Sequence, residues 1–103
     1  MTTTIKILPT VRPTPPGKLA DAEVHFVGGE LDGLKLVGFA VWRRRDGRGQ
    51  NVSFPSRHFQ VDGDRRSFSL LRWVAAPEAQ ARLEQLVLAA YSETRQEAAV
   101  SNG

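Results

Sequence analysis

Leu34-Lys35-Leu36-Val37-Gly38-Phe39-Ala40-Val41-Trp42 is the longest apolar run in the chain, and it leads directly into Arg43-Arg44-Arg45-Asp46-Gly47-Arg48-Gly49-Gln50. Apolar residues at consecutive positions fill both faces of an extended segment, which predicts a central strand. Gly38 inside it marks a bulge or a point where other backbone comes close. Asp46-Gly47 is a strong turn dipeptide, so the arginine-rich segment predicts a hairpin tip. Asn51-Val52-Ser53-Phe54 returns as a short strand and is halted by Pro55.

Working outward toward the N-terminus, Gly28-Gly29-Glu30-Leu31-Asp32-Gly33 predicts a turn. Before it, Ala22-Glu23-Val24-His25-Phe26-Val27 alternates, with Val24 and Phe26 on one face and Glu23 and His25 on the other. That is the pattern of a half-buried strand. Thr3-Thr4-Ile5-Lys6-Ile7-Leu8 is β-branched and partly alternating, but Pro9 and Pro13 interrupt it. A residue without an N–H cannot serve a central ladder, so this segment is expected at a sheet edge or to end early. Pro13-Thr14-Pro15-Pro16-Gly17 reads as a stiff loop too short to link two domains.

Toward the C-terminus, Arg57-His58-Phe59-Gln60-Val61 and Arg66-Ser67-Phe68-Ser69-Leu70 alternate around the turn Asp62-Gly63-Asp64. The period then changes. Pro77 suits the first turn of a helix and Glu78 complements its dipole. Ala79, Leu83, Leu86, Val87, Ala90 and Tyr91 form one apolar stripe at helical spacing. The expected architecture is α+β: an antiparallel sheet of about four to five strands in successive hairpins, with one C-terminal helix packed on it. A chain of 103 residues suits one domain, expected over residues 1–97, with 98–103 expected as a disordered tail.

Composition excludes several classes. There are no cysteines, so disulfide frameworks, thiolate catalysis and sulfur-ligated zinc are ruled out. No apolar run approaches the roughly 20 residues of a membrane span. Met1-Thr2-Thr3-Thr4-Ile5-Lys6 lacks the order of a secretory signal, so a cytoplasmic location is expected.

The net charge of +3 is unevenly distributed. Residues 1–41 sum to zero and residues 74–103 to −2, whereas residues 42–73 carry +5. All the bases of that middle segment are arginines: Arg43, Arg44, Arg45, Arg48, Arg57, Arg65, Arg66 and Arg72. The planar guanidinium fork suits phosphates and base edges and stacks on rings. The segment therefore points to a polyanionic partner; ordinary solvated turn arginines are the plainer reading. Trp42 and Trp73 each adjoin an arginine, and an exposed one would be a stacking platform for an unpaired base. Tryptophans more often lie in a core or interface.

No constellation supports catalysis or metal binding. His25 and His58 are isolated, each at a polar strand position. Ser56 and His58 share a strand face but lack an orienting acid and an oxyanion hole. Asp62-Gly63-Asp64 lacks the longer oxygen-ligand run of a calcium loop. The expectation is a non-enzymatic protein with no cofactor, no metal and no small-molecule substrate.

The stretch Leu36-Val37-Gly38-Phe39 through Val52-Ser53-Phe54-Pro55-Ser56-Arg57, followed by Val87-Leu88-Ala89-Ala90-Tyr91, resembles the stage V sporulation protein G (SpoVG) family. There an apolar strand ends in a Pro-Ser-basic triplet, matched by Pro55-Ser56-Arg57, and the helix ends Val-Leu-x-x-Tyr. The likeness covers about residues 4–93; the Arg43–Gln50 hairpin is longer and more basic than the family's turn. The resemblance implies a small domain that dimerises and binds DNA, and in some members RNA, to regulate gene expression. It places nucleic-acid contacts on Arg57, Arg65, Arg66 and Arg72, while the net-acidic helix departs from a helix-borne contact. A homodimer is also expected because a domain this small buries little surface. The competing expectation is a protein–protein interaction module that binds no nucleic acid.

Overall fold

A computed structural model describes residues 1–10 and 16–101. Six strands precede one helix: β1 (Thr2–Pro9), β2 (Lys18–Val27), β3 (Lys35–Arg43), β4 (Gln50–Ser53), β5 (Ser56–Val61), β6 (Asp64–Ser69) and α1 (Glu78–Ser101). The first four form an antiparallel sheet in the order β1-β2-β3-β4. The apolar run thus becomes a central strand, paired on both sides, and the proline-interrupted segment takes an edge. The last two strands pair only with each other. They leave the sheet as a separate ribbon instead of adding a fifth strand to it. The α+β class holds. Residues Pro13–Pro15 of the expected stiff loop lie outside the described residues.

The helix lies on one face of the sheet, against β1, β3 and β4. The core beneath it is small: Ala20, Ala22, Val24, Phe39, Val41, Val87 and Tyr91 are buried, with Ile5, Ile7, Leu36, Phe54, Leu83 and Leu88 packed around them. Register explains the set. Ile5 faces Val24, Ile7 faces Ala22, Ala22 faces Phe39 and Ala20 faces Val41, which brings same-face side chains of three strands together. The expected helical stripe is rotated slightly. Val87 and Tyr91 are its buried centre and Leu88 joins them, whereas Leu86 is 50% exposed. The helix also runs through Ser101, past the predicted fraying at Ala98.

The central strand carries apolar residues on both faces, with Ala40 and Trp42 turned away from the helix, but a bulge favours the helix side. Between the pairs Val24–Leu36 and Ala22–Phe39, β3 carries one more residue than β2. This bulge puts Leu36, Phe39 and Val41 all on the helix side, and it lengthens the apolar run there. The opposite face is largely polar. Asp21 pairs with Ala40, and Lys18 with Trp42. Glu23 accepts from His25 Nε2 at 2.9 Å and from Lys35 Nζ at 3.2 Å. Those two partners, His25 first, hold the Glu23 carboxyl below its ordinary value of 4.5. Trp42 is half-buried there, its indole Nε1–H donating to Ser53 Oγ at 2.8 Å. A second copy seated on this face would have to desolvate its charges.

Gly38 sits in the bulge at φ 106°, and a methyl group built on it would lie 3.1 Å from Pro55 Cβ. The bulge and the close approach are therefore one feature. Pro55 is buried against this glycine. Its neighbour Phe54 meets Phe39 edge-on, with ring centroids 5.4 Å apart. The Leu70 N–H donates to Pro55 O at 2.9 Å, which closes the base of the β5–β6 ribbon. Gly38 thus sets where the ribbon leaves the sheet.

Candidate nucleic-acid interface

The arginines fall on two hairpins. In the first, Arg43 pairs with Gln50 at the end of β3 and β4. The Arg44 N–H donates to Gly49 O at 3.1 Å, and the Gly47 N–H donates to Arg44 O at 2.9 Å. Asp46 accepts from the Arg48 N–H at 2.9 Å and lies 3.8 Å from Arg44 Nε. The one acid of this tip is thus occupied mainly in shaping the turn. Arg43, Arg45 and Arg48 have no acidic partner among the described residues.

The second hairpin is the β5–β6 ribbon. Val61 pairs with Asp64 across the two-residue turn Asp62-Gly63, both at positive φ (51° and 83°), the pattern that suits the right-handed twist of a tight hairpin. Register then divides the side chains. Arg57 opposes Phe68, Phe59 opposes Arg66, and Val61 opposes Asp64 on one face. The other face carries Ser56, His58, Gln60, Arg65, Ser67 and Ser69. Every residue of both strands is exposed. Arg72, just beyond β6, places its guanidinium 4.0 Å from the Phe68 ring centroid and anchors its Nε–H on Ser69 O at 3.0 Å.

All eight arginines named by the sequence are exposed, but they form two groups rather than one. The first tip lies at the Arg43 end of β3, whereas the ribbon springs from beside Gly38, five residues back and about 17 Å along the strand. Neither hairpin contributes an ion pair to the other among the described residues. The sequence reading missed that Phe59 and Phe68 share a face with Arg57 and Arg66. The signal was present: a two-residue Asp-Gly loop fixes hairpin register, and register assigns the faces.

Other candidates separate similarly. Ser56 and His58 share the polar face of β5, both exposed. His25 is held by Glu23 on the back of the sheet. Asp62 and Gly63 form the ribbon turn. Among the described residues no three His, Asp or Glu side chains gather to hold a metal ion. Trp73, 49% exposed, borders an apolar cleft of about 170 Å³ with Phe54, Leu71, Ala79 and Leu83. Among the described residues no helix is long and apolar enough to cross a membrane. Compared with protein-family models, with curated proteins and with solved structures, the chain shows no match.

Proposed function

We propose that this chain is a non-enzymatic, cytoplasmic nucleic-acid-binding regulator of the SpoVG type that acts as a homodimer. The observation that carries the reading is the concentration of arginine on two exposed hairpins, with Arg44 alone paired to an acid among the described residues. A cluster of unpartnered guanidinium groups is costly to hold together unless an anion neutralises it, and phosphates in series do so. The order Gly38, Pro55-Ser56-Arg57 and Val87-Leu88-x-x-Tyr91 supports the family reading, since Gly38 and Pro55 touch and Val87 and Tyr91 share the core. Dimerisation is supported by what the small core leaves uncovered: Leu70, Trp73 and Val74 are exposed, and Trp73 borders the cleft that Phe54 helps to line. These apolar side chains are the surface offered to a second copy.

Salt titration of DNA and RNA affinity tests the reading. Each phosphate contact on duplex DNA contributes about −0.9 to the log–log slope, so replacing Arg43, Arg44 and Arg45 together by glutamine flattens the slope by up to about 2.7 and weakens all sequences alike. Replacing Arg82 and Arg95 on the acidic helix changes little. An unaltered slope in the triple variant removes the first hairpin from the interface. A parent protein that binds neither DNA nor RNA at low salt defeats the proposal in favour of a protein-interaction module. Sedimentation equilibrium should give twice the chain mass of 11.4 kDa.

A further inference from the structure

The β5–β6 ribbon has a more specific chemistry than general phosphate attraction. Phe59 and Phe68 lie on the same face at diagonal positions, each directly opposite an arginine. They remain 40% and 48% exposed. Two aromatic rings in water on a projecting ribbon gain nothing from the core, which lies under the helix. Arg57 and Arg66 share their face and Arg72 lies just beyond, against Asp64 and the turn residue Asp62, neither of which pairs with an arginine among the described residues. Arg72 stacks its planar cation on one face of Phe68, and the ring remains 48% exposed beside it.

Spacing selects among nucleic acids. Diagonal cross-strand positions are about 7–8 Å apart. Bases stacked in a duplex strand are only about 3.4 Å apart, and their faces are covered by neighbours. Two platforms at twice that distance match bases that are neither paired nor stacked on each other. Alternating rings and guanidinium groups provide a base platform and a phosphate contact in turn along such a strand.

We infer that the Arg57/Phe59/Arg66/Phe68 face of the β5–β6 ribbon, with Arg72, is a stacking platform for unpaired bases and that it directs the protein to single-stranded nucleic acid. This inference rests on the nucleic-acid reading above and narrows its ligand. Ring-face stacking does not distinguish deoxyribose from ribose, so DNA and RNA single strands share the site.

The test uses fluorescently labelled oligo(dT) and oligo(U) and a blunt duplex of equal length, with the full chain. The parent should bind both single strands at least tenfold more tightly than the duplex. Phe59→Leu and Phe68→Leu, which keep apolar bulk but lose the π-face, should each weaken single-strand binding by about 5- to 150-fold. Duplex binding should fall far less, and Phe59→Tyr should restore single-strand affinity. Equal affinity of parent and leucine variants for the single strands overturns the inference, as does a preference for duplex, and both leave the broader reading standing. Loss of single-strand binding accompanied by a drop in sedimentation mass also overturns it, because the face then belongs to a second copy. Binding to none of the probes overturns the broader reading itself.

Discussion

Replacing Gly38 by alanine probes the feature that joins the ribbon to the sheet. At φ 106° the residue lies well outside the left-handed well near φ +57° that L-residues occasionally enter. Holding a side chain in such a region costs about 1–3 kcal/mol. The new methyl group would also sit 3.1 Å from Pro55 Cβ and 3.4 Å from Pro55 Cα. Pro55 is buried and its ring cannot rotate away, so either the bulge or the base of the ribbon must shift. Alanine recovers about 0.4–1 kcal/mol by restricting the unfolded chain. The net expectation is a loss of about 2–3 kcal/mol, a large part of the 5–15 kcal/mol typical of a domain. At about 4–8 °C per kcal/mol for a chain of this size, Tm should fall by about 8–24 °C. Urea unfolding followed by circular dichroism gives the same quantity directly. Gly47→Ala is the control: its φ of 72° is nearer the left-handed well and nothing lies within 4 Å of an added methyl. That variant should lose under about 1 kcal/mol. A Gly38→Ala protein as stable as Gly47→Ala would refute the proposed link between Gly38, Pro55 and the ribbon.

Three further outcomes are expected. Val87→Ala should cost about 2 kcal/mol, since Val87 is fully buried, whereas Leu86→Ala at a half-exposed position should cost under about 1 kcal/mol; denaturant midpoints decide whether the helix sits as described. The Glu23 carboxyl has a lowered pKa, so its contribution is present above the ordinary value of 4.5 and disappears as pH falls through the lowered one. The stability gap between the parent and Glu23→Gln should accordingly narrow from pH 7 to pH 3, and a pH-independent gap would mean that the His25 and Lys35 contacts contribute nothing. Gly63→Val should disrupt the positive-φ turn and, by loosening the ribbon register, lower single-strand affinity while leaving the salt slope of the Arg43–Arg48 tip unchanged.

Local chemistry made much of this legible in advance. Alternation in β2, the apolar run of β3, the turn dipeptides Asp46-Gly47 and Asp62-Gly63, and the change of period after Pro77 each depend on residues adjacent in the chain. The concentration of arginine between Trp42 and Trp73 is likewise a property of sequence alone. Tertiary structure decided what depends on partners distant in sequence. Alternation says which side chains share a face, but not what that face meets, so β5 and β6 read like further sheet strands until their pairing showed a separate ribbon. The same limit governs β3: consecutive apolar residues look identical whether two faces are buried or a bulge turns an extra residue toward one. Helical periodicity located the stripe, but choosing Leu88 over Leu86 required knowing where β1, β3 and β4 lie beneath α1. Gly38 shows the division most clearly. Its freedom to adopt positive φ belongs to the residue, whereas the need for it arises only because Pro55, seventeen positions later, occupies the space a side chain would fill.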